Sequence, residues 1–211
     1  MEELKRLDIG YGYTFDGGHT YPLRGKGIGL MPSMDEVFHE FPRRSFLIDV
    51  KDNEPADAAL LVEHLSRLPA AQLPKLMVFA RDGTLSVLRD RFPSLRTFSA
   101  GSIASCLVRY IAYSWTGIVP ARCYDSAQFV PINVAPWLWG WPNRFMNRMD
   151  AARSSVILMG AYPAREISPG LDTREDLARI PATYDGGIWT NEIPSLQRRD
   201  GAFGVTPRRD E

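Results

Sequence analysis

Short apolar runs of strand length alternate with segments of helical spacing from residue 46 onward, and no other feature restricts the fold as much. The strand-type runs are Phe46–Lys51, Leu76–Ala80, Leu95–Ser99, Phe129–Val134, Val156–Met159 and Gly187–Thr190. Between them lie helix-type segments at Pro55–Leu68, Gly83–Phe92, Ile103–Tyr113, Asn143–Ala152 and Arg174–Ile180. In the first of these, Leu61, Leu65 and Leu68 recur at spacings of four and three, which is one face of a helix. Strict alternation predicts parallel strands joined by right-handed crossovers. A closed (β/α) barrel takes eight such units. Six units, with nothing strand-like in the first forty residues, predict an α/β fold of the TIM-barrel type that lacks its first two βα units. Open edges on an all-parallel sheet would expose unpaired backbone. The chain is therefore expected either to be covered by a partner or to be the later part of a longer protein. Its start in mid-pattern favours the second.

The first strand carries the most informative chemistry. Phe46, Leu47, Ile48 and Val50 make it apolar enough to be buried on both faces. Asp49 interrupts the run, and Lys51 follows two residues later, so the acid and the base leave the strand on the same side. A carboxylate and an ammonium at the exit of a parallel strand sit where α/β enzymes place their chemistry. A structural ion pair at a strand end is the other reading of the same residues.

Bulk properties bound the rest. The 211 residues suit one domain, read as 1–198 with a polar tail at 199–211. Acidic and basic residues balance at 25 each, so global charge points neither to nucleic acid nor to an anionic membrane. No apolar run reaches spanning length and no secretory leader opens the chain. Cys106 and Cys123 show no metal-ligand spacing, and two unpaired thiols are expected. His19, His39 and His64 stand singly and read as surface or capping residues.

Before the first strand, Met1–Leu7 forms a single helical turn. Asp8–Leu30 follows, rich in glycine and tyrosine, and reads as a long ordered loop of the functional kind. Arg24, Lys26 and the nearby glycines offer cationic and backbone N–H donors to an anion. Their spacing fits neither the dinucleotide fingerprint nor a P-loop. Ser33, with Glu36 three residues on, forms a capping box for a helix to about Glu40, which Pro42 ends. Farther along, Trp137, Trp139 and Trp141 alternate between Pro136 and Pro142. They suit the wall of a substrate pocket, a lid on the barrel or the membrane interface, or plain packing under a loop. Arg144 is placed to reach a phosphate from a helix's first turn. Trp189 and Asn191 end the last strand and face the same rim as Lys51.

Together these segments resemble the glycerophosphodiester phosphodiesterase family. Leu4–Asp8 followed by Gly10-Tyr11-Gly12, Asp16-Gly17-Gly18 and Arg24-Gly25-Lys26-Gly27 is similar to that family's insertion, placed here at residues 8–30. Met31–Val37 resembles its "iPtLeEvl" helix start, Ile48–Lys51 its "IEIK" strand, and Asp185–Asn191 its closing "DGiiTD" strand. Pro136–Phe145 resembles a segment of one bacterial branch.

The resemblance implies a (β/α) barrel that hydrolyses glycerophosphodiesters to an alcohol and glycerol 3-phosphate. It implies a divalent cation, Ca or Mg, held by carboxylates at the mouth, and two histidines that move protons. Carried over, Asp49 is the metal ligand, one methylene shorter than the family's Glu. Lys51 meets the phosphate, with Trp189, Arg24, Trp139 and Arg144 as further substrate contacts. The family's first-strand His-Arg and Glu-Asn, its second-strand Glu-x-Asp and its second catalytic His have no counterpart here. His19 falls in the insertion and does not replace them. The chain alone is therefore expected to be inactive and to hold no metal tightly. A non-catalytic phosphodiester-binding module is the alternative, and an unrelated α/β enzyme built on Asp49, Lys51 and Asn133 a third. As it stands the chain reads as cytoplasmic; membrane or periplasmic placement would come through a missing N-terminal segment.

Overall fold

The computed structural model describes residues 1–51, 54–162 and 170–193. The expected tail at 199–211 lies outside the described residues. Two short helices, α1 (Glu2–Lys5) and α2 (Met34–Glu40), flank the glycine-rich loop. Then β1 (Phe46–Asp49), α3 (Pro55–Ser66), β2 (Leu76–Phe79), α4 (Asp82–Arg91), β3 (Arg96–Phe98) and α5 (Ala100–Tyr113) alternate. The pattern continues through β4 (Ala127–Pro131), α6 (Asn143–Ala151), β5 (Ser155–Met159), α7 (Arg174–Ala178) and β6 (Gly187–Ile188). The described strands pair in sequential order as two three-stranded parallel sheets, β1-β2-β3 and β4-β5-β6. The chain is thus a mixed α/β fold with the parallel, alternating order that the sequence predicts.

Each strand has a helix side and an open side. On the helix side, Leu76 and Val78 of β2 pack with Leu61 and Leu65 of α3 and with Leu85 and Leu88 of α4. In the second sheet Val130, Val156 and Leu158 pack with Cys106 and Tyr110 of α5 and with Phe145 and Met149 of α6. Leu65, Leu85, Leu88 and Phe145 are fully buried, each contributing about 1.5–3 kcal/mol by removal from water. On the open side a row of rings crosses both sheets. Phe79 meets Phe98 at 5.7 Å between centroids, Phe98 meets Phe129 at 5.6 Å, and Phe129 meets Trp189 at 5.5 Å. The Phe98–Phe129 contact, with the hydrogen bond from Arg96 Nη1 to Ser155 Oγ at 3.1 Å, ties the two sheets together.

Several elements differ in extent from the sequence reading. The last strand is Gly187–Ile188, although Trp189 N–H still donates to Leu158 O at 2.7 Å. Helix α5 starts at Ala100 rather than Ile103, because Ser99 and Ser102 cap each other reciprocally. A serine at that third position does the work usually left to Glu or Gln. The Ser33–Glu36 capping box of α2 is present as read.

The cysteines correct the expectation of free thiols. Cys106 and Cys123 form a disulfide with Cα atoms 5.0 Å apart, and both are fully buried. Cys106 lies on the buried face of α5, and the chain doubles back through the 114–116 and 121–123 turns to bring Cys123 beside it. A count of two cysteines carries no information about that return. Among the described residues no helix is long and apolar enough to cross a membrane.

Candidate functional site

Asp49 and Lys51 emerge at the C-terminal end of β1, as their spacing predicts, and both are exposed. The Lys51 ammonium is ion-paired to the Asp49 carboxylate. In register with Asp49 are Phe79 on β2 and, beyond it, Phe98 on β3. The exits of these three strands border one cleft of about 370 Å³. Asp49, Val50 and Lys51 form one wall, Phe79 to Asp82 the floor, and Ser99, Ala100 and Gly101 the far wall.

The formal charges that line the cleft balance. Lys51 and Arg81 bring two cations, while Asp49 and Asp82 bring two carboxylates, one of them engaged by Lys51. The amino ends of α4 and α5 border it, each carrying the partial positive charge of a helix start. The Ser99 hydroxyl accepts the Ser102 N–H and so holds the α5 start in place beside the cleft. An anion seated between Lys51, Arg81 and these helix starts would displace Asp49 as the lysine's partner or share it.

Trp189 belongs to this rim through the ring row, which begins at Phe79 in the cleft floor and ends at Trp189. Its strand end is pinned from the neighbouring segment. Leu171 N–H donates to Trp189 O at 2.8 Å, and the Asp172 carboxylate accepts from the Thr190 hydroxyl and from the Asn191 backbone and side-chain amides. Partial burial pushes the Asp172 carboxyl upward, but the Asn191 and Thr190 donors outweigh it and leave its pKa below the usual value. Asp172 thus positions the last strand end rather than facing the cleft.

The other candidates lie elsewhere. Arg24 is held inside its own loop, its guanidinium 4.3 Å from the Tyr11 ring centre and 3.9 Å from that of Tyr21, with Nε donating to Tyr11 O. Trp139 donates its indole N–H to Ile111 O at 2.7 Å, and its carbonyl accepts from the Tyr110 hydroxyl. Ile111 is ten residues along α5 from Gly101 at the cleft, about 15 Å of helix. Trp139 is therefore on the flank of α5 and not in the cleft. Arg144 is exposed in the first turn of α6, stacked over Gly140 on that same flank. Asn133 clamps two loops, with Nδ2 donating to Tyr162 O at 2.5 Å and Oδ1 accepting from Tyr162 N–H at 2.9 Å. Both ends of that amide are engaged, which removes the support for a site of Asp49, Lys51 and Asn133. His64 sits on α3 against Asp35 of α2, Nδ1 to Oδ1 3.0 Å, as a link between helices.

Arg81, Asp82 and the Ser99–Gly101 wall were not singled out in the sequence. They stand in the same place after β2 and β3 as Lys51 after β1, so aligning the strand exits would have found them. A larger cleft of about 460 Å³ lies at the opposite rim, between Arg96, Asp150, Arg153 and Asp185. Its arginines are already engaged. Arg96 is bonded to Pro74 O and Ser155 Oγ, and Arg153 makes two bonds to Asp125. In parallel α/β folds the strand exits, not the strand entrances, carry ligands, so the smaller cleft is the candidate site.

For a divalent cation the donor set is thin. The cleft offers Asp49 and Asp82, and among the described residues no group of three or more His, Cys, Asp or Glu is placed to hold a metal. Asp49 and Asp82 are the carboxylates of the lining that could hold one, with waters filling the remaining positions. A search of family models and of curated proteins finds no match to this sequence.

Proposed function

We propose that the chain is the later part of a (β/α) barrel of the glycerophosphodiester phosphodiesterase type, and that the Asp49–Lys51 cleft receives the phosphate of the diester. The observation that carries this reading is the position of Asp49 and Lys51. They stand at a parallel-strand exit, in a cleft that the next two strand exits complete. The sequential order of six described parallel strands supports the barrel. So does the open side of β1 and β2, where Leu47 and Met77 are only half-buried. A further pair of βα units would cover them.

In this reading the Lys51 ammonium and the Arg81 guanidinium draw charge from the phosphate oxygens, and Asp49 sets the direction of Lys51. Phe79, the ring of the row that lines the cleft, offers the alcohol portion an apolar contact. Hydrolysis also needs a proton acceptor for the attacking oxygen and a donor for the leaving one. The described cleft lining holds no histidine, so the 211-residue chain binds the diester without cleaving it. In the whole barrel a Ca or Mg ion would supply Lewis-acid chemistry.

The test uses the 211-residue chain with glycerophosphocholine, and with Ca or Mg added. No turnover is expected, while sn-glycerol 3-phosphate binds and Lys51→Ala weakens that binding about tenfold or more, as loss of one charged phosphate contact does. Metal-dependent turnover would remove the inactive-fragment reading. Binding unchanged by Lys51→Ala would remove the cleft.

A further inference from the structure

The outer flank of α5 inverts the usual arrangement of a protein surface. Between Tyr113 and Ile118 the Ser114 side chain is buried, and both the Ser114 and Thr116 hydroxyls bond backbone carbonyls of the turn. The Ser114 hydroxyl donates to Ile118 O at 2.7 Å, and the Thr116 hydroxyl donates to Tyr113 O at 2.7 Å. The large apolar side chains turn outward, with Trp115 66 % and Ile118 61 % exposed. Val108 continues this surface along α5, since it and Ala112 lie four residues apart on one exposed face. The next loop adds Trp137, 73 % exposed, beside Trp139, whose indole is bonded to Ile111 O. Single exposed apolar residues need no explanation, but two indoles and two aliphatics on α5, its terminal turn and a loop bonded to α5 do.

This patch is rigidly held. The Cys106–Cys123 disulfide closes the segment that carries it. Arg148 Nη1 bonds both the Tyr110 hydroxyl and Ser114 O at 2.9 Å, joining α6 to the turn under Trp115. The patch is also basic. Three arginines of its segments are exposed, and one acid, Asp125, lies between Arg109 and Arg144. The Asp125 carboxylate is engaged by Arg153. Arg109 on α5, Arg122 beside the disulfide and Arg144 at the start of α6 are all exposed.

We propose that this flank docks on an anionic lipid surface, with Trp115, Ile118 and Trp137 entering the headgroup boundary and Arg109, Arg122 and Arg144 meeting lipid phosphates. Indoles favour that boundary, being apolar with one N–H donor. Cations near an anionic bilayer add attraction that salt weakens. A protein partner with an acidic rim or a second copy of this chain would need the same residues. The three exposed arginines, with Asp125 held by Arg153, favour the uniformly negative surface.

The test is co-sedimentation of the full chain with phosphatidylcholine vesicles, with and without about a third phosphatidylglycerol. Binding to the anionic vesicles is expected, with a blue shift in tryptophan emission and at least tenfold weaker binding to the neutral ones. Arg109→Glu with Arg122→Glu is expected to reduce it about tenfold or more, at roughly fivefold per charge. Trp115→Ala with Trp137→Ala should reduce it while leaving the circular dichroism melt unchanged, because both side chains are mostly in solvent. Equal binding to both vesicle types, no binding, or binding unaffected by either pair would overturn the proposal. A Trp115-dependent dimer in solution without vesicle binding would assign the flank to a second copy and would also overturn it.

Discussion

The two three-stranded sheets are built on the same parallel plan and differ in what secures them. Around β4-β5-β6 the described connections are tied down at several points: the disulfide, Arg148 on Tyr110 and Ser114, Asn133 on Tyr162, and Asp172 on the turn after β6. The Tyr184 hydroxyl adds contacts to Val156 O and Gly187 O, and burial pushes its pKa well above the usual value. Around β1-β2-β3 the core is mainly leucine, and the strand exits carry exposed charge. The difference separates roles. One sheet is a fixed frame, and the other presents Lys51 and Arg81 at an open cleft. Charges left at an exposed strand exit add little stability, and their placement fits ligand contact better than structure.

That contrast can be broken by mutation. Phe145→Ala, in the frame, should cost about 3–5 kcal/mol through lost burial and a cavity. Leu88→Ala in the first sheet should cost about 2–5 kcal/mol. Calorimetric melting checks both, and a negligible loss for Phe145→Ala would dissolve the idea of a rigid second sheet. Reducing the disulfide, which closes a 17-residue separation, should lower stability by about 3 kcal/mol. The test is to compare denaturant midpoints with and without reductant.

Acid should loosen the N-terminal segment. The backbone N–H and hydroxyl of Thr20, with the Thr14 hydroxyl, lower the Asp16 carboxyl from 3.8 to about 2. The Lys5 ammonium, with the Ser33 N–H and hydroxyl, lowers Glu36 from 4.5 to about 2. Folded values below the unfolded ones mean that the stabilisation is present above about pH 4.5 and disappears as pH falls toward 2. Carboxyl NMR titration should show both midpoints near 2, with loosening of the 8–30 loop across that window. Midpoints at the ordinary carboxylate values would contradict it. The smallest stability effect is expected for Lys51→Ala, within about 0.5 kcal/mol because the ion pair is exposed. A large destabilisation would make that pair structural.

Much of this plan could be read from the sequence. The alternation of strand and helix signals and the exit position of Asp49 and Lys51 follow from local periodicity, which side-chain order along a strand enforces. What could not be read was the set of tertiary returns. Cys123 reaches Cys106 only because two tight turns fold the chain back. Trp139 lies along α5 because Tyr110 and Ile111 bond it there, not because it follows a strand. Arg24 is consumed by Tyr11 and Tyr21, which local charge spacing cannot show. Ser99, Arg81 and Asp82 went unnoticed because each is ordinary in sequence and gains meaning only when three strand exits meet.

The proposed phosphate cleft at the exits of β1, β2 and β3 is best probed by amide NMR during titration with sn-glycerol 3-phosphate. Perturbation is expected at Lys51, Arg81, Ala100 and Gly101, with Arg96, Arg153 and Trp139 unmoved. Shifts centred on Arg96 and Arg153 at the opposite rim, or none at the three strand exits, would contradict it.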